Sequence, residues 1–397
     1  VNLLYVRVNP TSMRAMLALA VVFVILATTG WTAVRPHVTA DPRAVSLSAW
    51  MKDTIGTHKL PDPNAAPAAI ARFFASITHV QQVTLADQYP LVVGNLNGAP
   101  LTLRYLANRQ AINEAQVAAA ALYRSDRLTP VGRHDVGRLM NRYASLLSGH
   151  RQILAFDPTG TGRAAEVLGN LSTATRVSVV VPGVDTDLLN FERTSKAYTS
   201  PVGMARALYG AEQAASPGAH SAVIAWADYT SPTGVGLDAS IGADAEFGAV
   251  RLEALLTALP QHAEVALFCH SYGSVLCGVA APDLPQGRVS DITVFGSPGM
   301  RAQHVSSLHT TAHVWAARDS GDWISGVPHL EFAGLGHGAD PVSRGFGARV
   351  ISAAGAVGHP GYFAPNTTSL ANFAQIGLGA YSRVVCNPGN ACTTGLA

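Results

Sequence analysis

Three residues in the last third of the chain, Ser271, Asp322 and His359, have the types and the order that nucleophilic acyl chemistry needs. A serine hydroxyl attacks an ester carbonyl when an imidazole takes its proton and a carboxylate holds that imidazole in the useful tautomer. Ser271 lies in Cys269-His-Ser-Tyr-Gly273, after the apolar run Val265-Ala-Leu-Phe268 and before a stretch of small residues. Small residues two before and two after the serine allow a pinched strand-turn-helix connection, and Cys269 and Gly273 fill those places. The pattern is G-x-S-x-G with cysteine for the first glycine. It predicts Ser271 Oγ at the carboxyl edge of a parallel sheet, with the Tyr272 N–H at the start of a helix facing a developing oxyanion. Five residues of this kind also fit an ordinary strand-to-helix turn, so the partners must decide.

In a fold with such an elbow the acid comes next and the histidine last. The acid is expected after the strand two beyond the elbow, within residues 313–324. Asp322 is preferred because Trp323 and Ile324 would anchor its loop, Asp319 is the second candidate, and either also fits a solvated turn aspartate. His359 stands in Ala356-Val-Gly-His-Pro-Gly-Tyr-Phe363, where neighbouring glycines let the ring reach over the sheet edge. His337, in Gly-His-Gly-Ala-Asp-Pro, falls before the last strand and is the competitor. A second oxyanion donor is expected from the N–H of Val184 in Pro182-Gly-Val-Asp-Thr186, and such a donor stabilises the transition state by roughly 3 kcal/mol.

These residues need a framework. Residues 152–156 and 163–168 read as a hairpin, and apolar strands at 176–181, 221–226, 264–268, 289–295, 312–316 and near 348–351 follow. Helices are predicted at 202–215, 243–259, 272–281 and 369–380. Short strands without alternation, separated by helices, predict an α/β fold with a mostly parallel sheet covered on both faces. Upstream, residues 41–150 read as a helical N-terminal region, with helical spacing at 44–55, 67–80 and 104–123 and a loop at 89–100. The predicted boundaries are 1–40, 41–150, 151–385 for the α/β domain, and a tail at 386–397.

Composition narrows the partners. The chain has 397 residues, 48% hydrophobic and 13% charged, with 27 basic against 25 acidic residues and no basic run, so a nucleic-acid partner is not expected. Arg7 and Arg14 precede an uncharged apolar stretch, 15–34, that reads either as a membrane anchor or as a signal peptide with small residues at Val38-Thr-Ala40. Both readings export the rest of the chain. Cys386 and Cys392 bracket a turn-forming Asn-Pro-Gly-Asn-Ala and are disulfide candidates, with metal binding as the rival reading; Cys269 and Cys277 read as buried small hydrophobes. No cofactor or metal fingerprint is found, the oligomeric state is open, and the expected partner is a small-molecule or lipid ester.

The chain resembles the actinobacterial α/β-hydrolase family formerly catalogued as a domain of unknown function. The resemblance rests on Val179-Val-Val-Pro-Gly-Val-Asp-Thr-Asp-Leu188, Ala222-Val-Ile-Ala-Trp-Ala-Asp-Tyr229, His270-Ser-Tyr-Gly-Ser274 and Phe295-Gly-Ser-Pro-Gly299. It extends to His337-Gly-Ala-Asp-Pro341, Phe346-Gly-Ala348 and Gly358-His-Pro-Gly-Tyr-Phe363, and upstream to Gly94-Asn-Leu-Asn-Gly-Ala-Pro100, Arg104 and Ala107-Asn108. It spans roughly residues 70 to 380 and implies an α/β-hydrolase fold, a Ser271–Asp322–His359 triad, and a helical region that belongs to the architecture. Two function classes follow. One is an exported serine hydrolase cleaving carboxylic esters, among them lipid or cell-envelope acyl esters, with acyl transfer as a variant; the other is an inactive binding or structural module at the cell surface.

Overall fold

Strand 264–270, which leads to Ser271, is buried at every position but its first, because both of its faces are covered. Val265, Leu267 and Cys269 enter one core, while Ala266 and Phe268 enter the other. The computed structural model describes residues 41–396 apart from 286, 330, 333 and 334. The apolar segment read as an anchor or signal lies outside the described residues, among which no helix is long and apolar enough to cross a membrane.

Eight strands form the main sheet: β1 (Gln152–Asp157), β2 (Arg163–Gly169), β3 (Arg176–Val181), β4 (Ser221–Ala227), β5 (Glu264–His270), β6 (Val289–Phe295), β7 (His313–Ala317) and β8 (Arg349–Val350). Their order is β8-β7-β6-β5-β3-β4-β2-β1. The pairs β1–β2 and β2–β4 are antiparallel and the others parallel. The mostly parallel sheet covered by helices is therefore present, with the strands within a residue or two of the positions predicted. One face carries Leu252, Leu255 and Leu256 from a helix at Ala243–Ala258, and the other carries Leu208 from Pro201–Ala215 and Phe373 from Thr368–Gly377.

The upstream helices differ in detail from the prediction. Helical spacing at 44–55 ends early: the helix is Pro42–Trp50, and Thr54–Ile55 pairs with His58–Lys59 in a small hairpin. The predicted helix at 67–80 is two, Pro67–Ser76 and His79–Gln88, because Thr78 and Gln81 make a reciprocal capping box that starts a new helix. The predicted loop at 89–100 contains a helical turn, Pro90–Val93. By its contacts, Ser46–Ala397 is one compact unit, in which the helix Leu101–Tyr123 packs on β1. Buried Arg104 donates to the carbonyls of Gly94 (3.2 Å) and Leu154 (2.8 Å), and Asn108 donates to those of Gly94 and Ile153, both at 2.9 Å. Asn95 exchanges hydrogen bonds with the backbone of Phe156, donating at 2.8 Å and accepting at 3.1 Å. The backbone of β1 thus meets polar side chains from the helical region.

Glu212, on the helix Pro201–Ala215, is fully buried; Oε1 accepts from Ser178 Oγ at 2.6 Å, and Oε2 has no partner among the described residues. Burial lifts its pKa from 4.5 to about 7. The folded chain then holds this proton more tightly than the unfolded chain, so the contribution to stability is complete below pH 4.5 and is lost as pH rises through 7. The difference corresponds to about 3 kcal/mol. Glu212→Gln is expected to flatten this slope and to be more stable than the parent at pH 8; urea unfolding at pH 5 and 8 measures it, and an unchanged slope would contradict the assignment.

Candidate active site

The site begins with a strained turn. Ser271, between β5 and the helix Tyr272–Ala280, has φ 53° and ψ −124°, a conformation that L-residues adopt at a cost of order 1–3 kcal/mol. Three features hold it. Its N–H donates to the Phe295 carbonyl at 3.1 Å, its carbonyl accepts from Ser274 N–H at 2.9 Å, and Ser274 Oγ is tied to Ser297 Oγ at 2.6 Å. Gly273 has no room for a side chain, since a Cβ there would lie 2.5 Å from the Val181 carbonyl oxygen. Gly183 is equally confined, its missing Cβ 2.7 Å from Ser271 Cβ.

At the other small position the reading of the cysteines is corrected. Cys269 and Cys277 are bonded to each other across the strand, the turn and the helix, with Cα atoms 6.5 Å apart. They are buried, as expected, but they are not free thiols. The cysteine that replaces glycine here serves as one end of a cross-link around the turn that carries Ser271. Cys386 and Cys392 form the second disulfide.

Asp322, Asp319 and His359 meet on the loops after β7 and β8. Asp322 is buried, and His359 Nδ1 lies 2.9 Å from its Oδ1 and 3.1 Å from its Oδ2. Ile324 N–H donates to Oδ1 at 3.0 Å and Tyr362 Oη donates to Oδ2 at 2.7 Å. Burial alone would raise the Asp322 pKa, but the hydrogen bonds from His359, Tyr362 and Ile324 outweigh it and hold the carboxyl below its ordinary value. Asp319 has a different position: Oδ2 accepts from Gly358 N–H at 2.9 Å and its own N–H donates to Tyr362 Oη at 3.0 Å. It braces the loop that carries His359. Of the two residues expected to anchor the acid's loop, Ile324 is buried, whereas Trp323 is 50% exposed with its ring centre 4.7 Å from that of His359.

Ser271 and His359 line the same small cavity, about 120 Å³, together with Gly183 and His270. A larger cavity of about 430 Å³ shares Ser271 and Val184 with it and also includes Tyr272; Val184 and Tyr272 are the two residues expected to supply oxyanion N–H groups. The Tyr272 N–H is the first of its helix and so is free of intrahelical bonding. The Val184 loop is pinned from behind: Tyr229 Oη donates to the Pro182 carbonyl at 2.7 Å, and Asp185 N–H to that of Pro232 at 2.9 Å. The large cavity is walled mainly by apolar side chains, among them Val235, Ala239, Ile324, Val327 and Leu335. The loop at 230–242 contributes to that wall, while the N-terminal helical region contributes no lining residue among those described.

Three contributors escaped the sequence reading. His270 is buried beside His359, their ring centres 4.7 Å apart, and its Nε2 donates to the His359 carbonyl at 2.9 Å. Burial, then the neighbouring His359, push its pKa down to about 3, so it is a neutral support for the loop. Tyr362 is the second, through its bond to Asp322. Gly296 is the third: at φ 55° it leaves the floor beneath the pair open, and a Cβ there would lie 3.1 Å from both His359 Nδ1 and Asp322 Oδ2. His337 is not beside the pair; it is buried in the wall of the large cavity. Among the described residues no group of His, Cys, Asp and Glu could hold a metal ion.

The family model described as alpha/beta hydrolase matches residues 157–332. Two uncharacterized proteins of Mycobacterium tuberculosis, from strains CDC 1551 / Oshkosh and ATCC 25618 / H37Rv, are each 26% identical over 352 residues, covering 73% of this chain and 51% of the relative. The chain thus spans about half the length of the curated relatives it matches. Among solved structures it is similar to an a/b serine hydrolase without lid from Xanthomonas campestris, 14% identical over 60% of this chain and 97% of that one, with a TM-score of 0.35. It is also similar to a truncated carbohydrate esterase from gut microbiota, 14% identical over 54% and 90% of the two chains, with a TM-score of 0.34. Residues 157–332, which include most of the strands of the sheet and the Ser271 elbow, are thus similar to the alpha/beta hydrolase family.

Proposed function

We propose that the chain is a serine hydrolase that cleaves carboxylic esters through an acyl-enzyme on Ser271. The observation that carries this reading is the pairing of His359 with buried Asp322, 2.9 Å apart, beside a serine whose strained turn faces the same cavity as His359. With Nδ1–H held by Asp322, Nε2 of neutral His359 bears the lone pair and takes the Ser271 proton as Oγ adds to the ester carbonyl. The oxyanion forms between the N–H groups of Tyr272 and Val184. His359 then returns the proton to the departing alkoxide, leaving the Ser271 acyl ester, and water attacks that ester by the same route. Transfer to another hydroxyl would use the same steps.

A place outside the cytoplasm, secreted or anchored by the N-terminal segment, belongs to this proposal. It is supported by the basic residues ahead of the apolar stretch and by the two disulfides, which persist in oxidising compartments. The apolar wall of the large cavity supports an ester with an apolar acyl chain, such as a lipid or cell-envelope ester.

A fluorophosphonate probe is expected to label the protein, and peptide mapping is expected to place the label on Ser271. Loss of the label in Ser271→Ala completes the test. Folded protein that neither labels nor turns over short acyl esters would instead be a binding module on a hydrolase fold.

A further inference from the structure

The small cavity carries a charge that has no partner among the described residues. Away from Ser271 and His359 its wall includes the side chains of Asp185, Thr186, Asn190, Arg193 and Thr199. Of these, Arg193 makes one hydrogen bond, through its backbone N–H, and its guanidinium has neither an ion pair nor a hydrogen bond among the described residues. The acid next to it in sequence is already taken. The Glu192 carboxylate pairs with Arg142 at 3.2 Å, Arg151 at 2.7 Å and Arg206 at 2.6 Å.

The loop that bears Arg193 is fixed at its base. Arg193 N–H donates to Ser200 Oγ at 3.2 Å, Ser200 Oγ donates to the Ala197 carbonyl at 2.8 Å, and Val202 N–H donates to the Phe191 carbonyl at 3.1 Å. The other polar groups of the wall have work inside the protein. Thr186 Oγ1 donates to the Gly183 carbonyl at 3.0 Å, and Asn190 Nδ2 donates to that of Asp185. Asp185, the opposing charge on this wall, has Oδ1 bound to Gly234 N–H at 2.7 Å and so ties the Val184 loop to residues 230–242. The side-chain donors left uncommitted are the Arg193 guanidinium and the Thr199 hydroxyl.

Which part of an ester meets this wall follows from the acid step. His359 returns its proton to the departing alkoxide, and it lines the small cavity and not the large one. The alcohol portion therefore lies with Arg193, and the acyl chain lies along the apolar wall of the large cavity.

We infer that Arg193 is a specificity-determining residue of a leaving-group subsite, and that the preferred substrate is an ester whose alcohol portion carries an anionic oxygen group, a phosphate or a carboxylate. This inference rests on the esterase reading of Ser271 and goes beyond it in naming the alcohol class. A guanidinium presents its N–H donors in a planar fork that matches either group, and Thr199 adds a hydroxyl. Arg193 is exposed, so water and salt weaken the attraction.

The experiment uses the full chain and hexanoyl esters of 2-hydroxyethyl phosphate, 3-hydroxypropanoate, choline and 1-propanol, with release of hexanoate as the common readout. At low salt one or both anionic esters are expected to exceed the propyl and choline esters in kcat/KM by about tenfold, and high salt is expected to shrink that advantage. Arg193→Gln is expected to bring the anionic-to-propyl ratio to about one, and Arg193→Glu to turn the preference towards the choline ester. Arg193→Lys, which keeps the charge without the fork, is expected to keep part of it. Lack of preference for either anionic ester in the wild type overturns the inference, as does a preference undiminished in Arg193→Gln. A wild-type preference for the choline ester also overturns it and gives the subsite to Asp185. Labelled, active protein without an anionic preference leaves the esterase reading intact; absence of labelling and of turnover on every ester removes both.

Discussion

Ser271→Ala and His359→Ala are each expected to lower kcat for ester hydrolysis by about a millionfold, and the double variant by no more than either alone. In the proposed mechanism the two groups act as one device. Without the imidazole the hydroxyl keeps its proton, and without the hydroxyl the imidazole has nothing to activate. Among the described residues no neighbouring side chain is poised to substitute for His359. His270 is the nearest ring, but its Nε2 is engaged with the His359 carbonyl, and burial and His359 keep its pKa at about 3. Steady-state turnover of a p-nitrophenyl ester by the parent, both single variants and the double variant measures the effect. A His359→Ala protein within tenfold of the parent, or losses that multiply in the double variant, would require a different base.

The second large effect separates two aspartates three residues apart. Asp322→Asn is expected to lower kcat about 10⁴-fold, as loss of the carboxylate behind a catalytic histidine does elsewhere. Asp322 accepts from three donors: Ile324 N–H, Tyr362 Oη and the His359 ring. An asparagine has one acceptor oxygen and an NH2 group. If the NH2 faces the ring it selects the tautomer with the proton on Nε2, where it blocks attack by Ser271. Asp319→Asn keeps an oxygen that can accept from Gly358 N–H but loses the charge, so it weakens a bracing bond worth roughly 1 kcal/mol, at most about fivefold in rate if it is felt entirely at His359. Comparing kcat of the two variants on one ester decides between the two acids. Equal losses would count against the role given to Asp322.

These contrasts also explain what could be read in advance. Strands β4 and β5 were legible because burial on both faces leaves continuous apolar runs, as in Ala222-Val-Ile-Ala-Trp-Ala227. The elbow was legible because Gly273 has no space for a side chain and a local pattern records that. The split of residues 67–80 into two helices was also available, since Thr78 and Gln81 are a capping box at the spacing that signals a helix start. The supports of the site were not legible in that way. His270 and Tyr362 act through a ring and a hydroxyl whose directions are set by loops that meet only in the folded chain. The Cys269–Cys277 bond likewise depends on the distance between a strand and the helix that reverses over it, and a separation of eight residues does not determine that distance. Asp319 and Asp322 share one loop and one composition, and only the path of the backbone distinguishes them.

The way Asn95, Arg104 and Asn108 occupy the outer backbone of β1 has a consequence for self-association. An outermost strand with bare amides and carbonyls is a template on which a foreign segment can zip up. On this margin the carbonyls of Ile153, Leu154 and Phe156 and the amide of Phe156 are already engaged by side chains of the same molecule. Growth of the sheet past β1 would have to displace a buried guanidinium and two amides first, so this border is closed to strand-by-strand polymerisation.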